Sequence, residues 1–185
     1  SCIANIIDNK PEGINIHVVA NRHFCSSQNV ESSFELTWIG RAKSKVINFV
    51  EVMCTVVSRG SFNKRLCNDY YEYLVEHGSS YDVVVPVCFP FETLVASVKY
   101  KCKSRSGPAV VPVWYDEYAE SDSAHRLTFL RKVKSSYHLD LEKEAIQNSE
   151  LVFCTTGMAE KLLGKGIEND KIVQLEHPLV KQVKN

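Results

Sequence analysis

The chain has 185 residues, 22 basic against 22 acidic side chains, and 44% hydrophobic residues. That length makes one domain with a full core, and the balanced charge excludes the basic footprint of a nucleic-acid binder. No apolar run is long enough to cross a bilayer, and no segment reads as a secretory leader, a low-complexity tract or an internal repeat, so a cytoplasmic protein is expected.

In chain order, residues 1–9 read as a short helix and residues 14–20, INIHVVA, as a strand with His17 inside it. A helix followed by a strand is the second half of a βαβ unit. The first strand of the sheet and its glycine-rich turn are therefore expected to be missing from the chain, and the shortness of the helix points to omissions inside the chain as well. Residues 41–65 place Arg41, Lys43, Lys45, Arg59, Lys64 and Arg65 near Val46, Ile47, Phe49 and Val50, a basic and apolar patch.

Residues 62–76 form a helical pattern in which Leu66, Tyr70, Tyr73 and Leu74 share one stripe. Residues 81–87 are a near-continuous β-branched run, which predicts a buried strand, and residues 92–100 a second helix. After the breaker Gly107-Pro108, residues 109–114 are a third apolar strand. Residues 119–138 set Arg126, Arg131, Lys132 and Lys134 around Leu127, Phe129 and Leu130. This mixture suits an interfacial helix on anionic lipid, or an ordinary amphipathic surface helix.

From Leu139 to Pro178 the chain alternates helix, strand, helix, strand. Leu139, Leu141, Ala145 and Ile146 line one face of a helix that ends at Asn148 and Ser149. Leu151, Val152 and Phe153 make a short uninterrupted strand, as expected where both faces are covered. Thr155 and Thr156 can accept hydrogen bonds at the start of a helix running from about Met158 to Gly164, and Ile172, Val173 and Leu175 follow as another strand. At least five strands alternating with helices predict an α/β fold, a doubly wound, mostly parallel open sheet, with a right-handed helical crossover joining the last two strands.

The seven cysteines are odd in number and lack any CxxC pair, so they read as buried thiols. The six histidines show no HxxxH or HExxH spacing, and no metal is expected.

The helix SCIANII before INIHVVANR, the strand-turns YDVVVPVCFP and VVPVWYDEY, the unit LEKEAIQNSELVFCTTGMAEKL and the closing KIVQLEHPLV resemble the N-terminal domain of GT-B glycosyltransferases. The resemblance covers most of the chain and is strongest to the large retaining group-1 family that builds bacterial surface polysaccharides. It implies that residues 1–185 form one Rossmann-like domain that binds the acceptor, with residues 176–185 beginning a linker to a donor-binding C-terminal domain that the chain lacks. It also implies a nucleotide sugar as donor of the full-length enzyme, a polysaccharide or lipid-linked acceptor, retention at the anomeric carbon and no cofactor in this domain. The fragment alone is then expected to be inactive. The two basic-apolar stretches suit peripheral contact with the inner face of the membrane.

Ligands of open parallel sheets bind beyond the carboxyl ends of the strands, which singles out three turns. After Val87, Phe89 and Phe91 offer an aromatic surface and Glu92 a carboxylate for acceptor hydroxyls; the phenylalanines packing beneath a loop is an equal reading. After Trp114 come Tyr115, Asp116, Glu117 and Tyr118, where Asp116 is the candidate catalytic residue and Tyr115 and Glu117 suit acceptor binding. Helix capping by Asp116 is the alternative, and the resembling family has a His or acidic residue near this turn where this chain has Tyr115-Asp116. After Phe153, Thr156 and Gly157 expose amides suited to an anion, or serve a cap. Glu176 and His177 would face the interdomain cleft, or simply solvent.

Two other readings share this pattern. A sugar-nucleotide epimerase has the same two-domain architecture with a different His and Glu set. A stand-alone binding or regulatory α/β module would need an acidic cluster at the end of its first strand.

Overall fold

The computed structural model describes residues 7–20, 32–35, 64–88, 91–104, 106–115 and 131–175. These residues form a mixed α/β arrangement of short parallel strands and helices. The strands are β1 (His17–Ala20), β2 (Ser32–Glu35), β3 (Val83–Val84), β4 (Ala109–Val110), β5 (Val113–Trp114), β6 (Val152–Cys154) and β7 (Ile172–Gln174), and every pairing among them is parallel. The helices are α1 (Lys64–His77), α2 (Phe91–Lys103), α3 (Arg131–Gln147) and α4 (Thr156–Gly164).

β3 to β7 follow one another in space as they do in sequence. β3 pairs with β4, a bridge joins Val87 to Val113, β5 pairs with β6, and β6 with β7. The stretch 109–114 acts as one strand that Pro112 interrupts, as Pro86 interrupts the stretch 81–87 beside it. Pro86 and Pro112 each lack an N–H and so remove one ladder bond, while their carbonyls still accept from Val113 N and Phe153 N at 2.9 Å each. The continuous strands expected at 81–87 and 109–114 are therefore present in position but broken in hydrogen bonding. The parallel pair expected at the end of the chain is present as β6 and β7. β1 and β2 form a separate parallel pair.

Strand alternation decides the core. Cys88, Trp114, Val152 and Cys154 share one buried cluster with Leu66, Cys67, Tyr70 and Tyr73 of α1, Phe91 and Leu94 of α2, Ala145 and Ile146 of α3, and Met158, Ala159 and Leu162 of α4. At about 1.5–3 kcal/mol for each fully buried large side chain, this layer is the main stabilising term. On the opposite parity Val111 and Val113 are buried as well, and cover thins toward β3. Val83 and Val85 are 48% and 50% exposed, and no strand among the described residues pairs with the outer edge of β3.

The stripe read on α1 is buried at all four positions, Leu66, Tyr70, Tyr73 and Leu74. Two boundaries differ from expectation. α3 spans 17 residues, so residues 131–138, read from their charges as part of a separate basic segment, are the first half of the same helix. A basic stretch does not end a helix, because Lys and Arg are good helix formers. Residues 14–16 precede β1, with Ile14 exposed. Among the described residues Cys67, Cys88 and Cys154 are buried free thiols, as expected, and Cys102 is an exposed one. No helix of the described residues is long and apolar enough to cross a membrane.

Candidate functional site

A single row of register partners, Val87, Val113, Phe153 and Val173, crosses four parallel strands. The carboxyl ends of these strands are therefore level, and the next rungs are Cys88, Trp114, Cys154 and Gln174. One residue further on, Tyr115 and Thr155 leave neighbouring strands side by side, and Leu175 N donates to Cys154 O at 2.8 Å. Parallel pairing thus gathers onto one edge the three turns that are far apart in sequence.

The first turn is held by hydroxyl bonds. Thr93 Oγ1 donates to Val87 O at 2.7 Å and Ser97 Oγ donates to Thr93 O at 2.8 Å, which ties the start of α2 to the end of the preceding strand. Phe91 is 1% exposed, its ring centroid 5.3 Å from that of His138 on α3. Its ring is packing between α2 and α3, not a free aromatic surface for a ligand, because the first turn of α2 faces the core at this position. Glu92, one residue on, is half-buried in the same turn.

At the second turn Tyr115 is half-buried directly after β5. At the third, the Thr155 carbonyl accepts from Met158 N at 3.0 Å and Ala159 N at 2.9 Å, but its side chain makes no capping bond. The reading of Thr155 as a side-chain cap is not what forms here. Thr156 and Gly157 are exposed in the first turn of α4, and a Cβ placed on Gly157 would meet nothing within 4 Å. Amides in the first turn of a helix carry the positive end of its dipole, and here those of Met158 and Ala159 already bond the Thr155 carbonyl.

Phe89, Asp116, Glu117, Glu176 and His177 lie outside the described residues, as do the basic stretches 41–63 and 119–130. No group of three or more His, Cys, Asp or Glu side chains suited to a metal occurs among the described residues.

The sequence pattern puts Glu142 with Lys143 and Glu144 on the wet face of its helix and does not single out His138, yet Glu142 and His138 are 2% and 0% exposed on the inner face of α3. Their spacing with Ala145 and Ser149 was the available signal: positions 138, 142, 145 and 149 follow the helical repeat, with polar residues where core residues were expected. Glu142 lies 3.7 Å from Lys165 Nζ, just past α4. A buried carboxylate needs such a cation.

Comparison of the chain with family models, curated proteins and solved structures gives no match.

Proposed function

We propose that this chain is the acceptor-binding domain of a GT-B glycosyltransferase, the Rossmann-like half that presents a polysaccharide or lipid-linked hydroxyl to a nucleotide sugar held by a second domain. The observation that supports this reading is the level carboxyl edge of the parallel strands, from which the turns leading to α2 and α4 leave. Such an edge is where open α/β sheets bind polar ligands. A carboxylate and the amides of a helix start offer both acceptors and donors to a carbohydrate's hydroxyls, or amides to a phosphate of a lipid-linked acceptor, whereas the Tyr115 hydroxyl is buried away from such a role. The resemblance of the strand-turn wording supplies the reaction class. Asp116, one residue beyond Tyr115, is the residue we assign to the reacting hydroxyl.

Nucleotide release from a panel of nucleotide sugars by the complete gene product, with and without Asp116→Ala, tests the proposal. Release that falls with the substitution supports it. No release with any donor and acceptor would transfer the weight to a binding module.

A further inference from the structure

At the opposite, amino-terminal edge of the sheet, a chain of hydrogen bonds joins three parts of the molecule. His17 at the start of β1 has Nε2 2.8 Å from the Tyr73 hydroxyl of α1, and that hydroxyl is 2.7 Å from the hydroxyl of Tyr81, which leads into β3. The His17 ring stacks on Tyr73 with centroids 6.1 Å apart at 15°, and lies 5.7 Å from the ring of Tyr81. His77, one turn further along α1, places its ring 4.7 Å from that of Tyr73.

We propose that His17, Tyr73 and Tyr81 form an acid-sensitive latch that fastens β1 to α1 and β3. With His17 neutral and its proton on Nδ1, Tyr81 donates to Tyr73 and Tyr73 donates to Nε2, so the protons run in one direction along the row. A protonated His17 has no lone pair on Nε2. It must donate to Tyr73, Tyr73 must turn its proton toward Tyr81, and Tyr81 must find another acceptor.

The surroundings oppose that charged state. Among the described residues the titratable groups that face the latch are Tyr73, His77 and Glu76 of α1 and Tyr81. Glu76 lies 3.7 Å from His77 Nε2 and is engaged there. Burial first, and then the neighbouring His77, hold the His17 imidazole below its ordinary value of 6.5. Burial above all pushes the Tyr73 phenol upward, so it stays protonated as a donor. A cation with a depressed folded value leaves the fold unaffected at neutral pH and destabilises it progressively as pH falls below 6.5. The consequence is local: β1 undocks before the β3–β7 ladder opens.

Proton NMR titration of the His17 ring in the 185-residue chain, with hydrogen exchange at pH 7.5 and 5.5, decides the matter. We expect His17 to titrate below 6.5, its midpoint to rise in His77→Gln, and β1 amides to open several-fold more at the lower pH, relative to β4 and β6 amides, once intrinsic exchange is corrected. In His17→Gln that pH-dependent excess disappears. A wild-type His17 that titrates at or above 6.5, or an unchanged excess in His17→Gln, overturns the latch. If His17→Gln does not fold, the wild-type titration alone decides.

Discussion

Lys101 Nζ sits 2.6 Å from Glu150 Oε1, and the other oxygen of the same carboxylate accepts a 2.7 Å bond from the amide of Val110. Glu150 lies two residues ahead of β6; its own N–H donates to Val110 O at 3.2 Å, while its side chain satisfies the Val110 amide. Lys101, near the end of α2, also donates to Pro108 O at 3.1 Å. One ion pair therefore joins a helix end to the starts of two strands.

Glu150→Ala is expected to lower stability by about 1 kcal/mol, the scale of a partly exposed charge-assisted bond, read as a lower urea midpoint with unchanged slope. The loss is pH-dependent. Partial burial pulls the Glu150 carboxyl upward, but the Lys101 ammonium and the Val110 amide outweigh it and hold it below its ordinary 4.5. The stabilisation is thus complete above 4.5 and fades as pH falls through the lower folded value, where wild type and variant should converge.

Gly78→Ala should destabilise by about 1–3 kcal/mol. A Cβ there would stand 2.7 Å from Cζ and the hydroxyl oxygen of Tyr100, whose buried ring is also 3.2 Å from a Cβ on Gly107. The two glycines leave room for this ring, which is buried and cannot move freely. In a Tyr100→Leu background the same substitution should cost much less, and thermal melts of the four proteins in this double-mutant cycle would show the coupling. Equal costs in both backgrounds would contradict the contact.

Alkylation of the native chain by iodoacetamide should mark Cys102 before Cys67, Cys88 or Cys154, by peptide mass spectrometry. Cys102 is exposed and the other three are buried. Burial pushes the Cys67 thiol up to about 11, with Lys99 opposing and Glu92 adding to the rise, so almost none of it is thiolate at neutral pH. Rapid labelling of Cys67 in folded protein would refute the packing of α1 on α2.

Gly157→Ala separates the proposed ligand edge from stability. The added methyl meets nothing within 4 Å, and alanine is the better helix former by up to about 1 kcal/mol, so the melting temperature should hold or rise. If the first turn of α4 contacts the acceptor, the same methyl should raise the acceptor KM severalfold in the complete enzyme. An unchanged KM would remove this turn from the site.

Periodicity made α1, α2 and α4 legible, because each carries an apolar stripe at the helical repeat. The α3 boundary was not, because its first half is basic and its inner face is built from His138 and Glu142, which a hydrophobicity pattern reads as solvent-facing. Similarly, Pro86 and Pro112 look like breakers of a central strand, and only the carbonyls they keep in the ladder show how such strands survive.

Apart from β2 and the first half of α3, the sequence by itself located the strands and helices named above and indicated that the last strands run parallel, since apolar spacing and short crossovers are local properties. Only the tertiary structure decided that Phe91 is core, that Tyr115 and Thr155 end neighbouring strands, and that His17 meets Tyr73 56 positions away. Those facts depend on strand register and on which face each helix buries. Both are fixed by packing among distant residues, which no local pattern encodes.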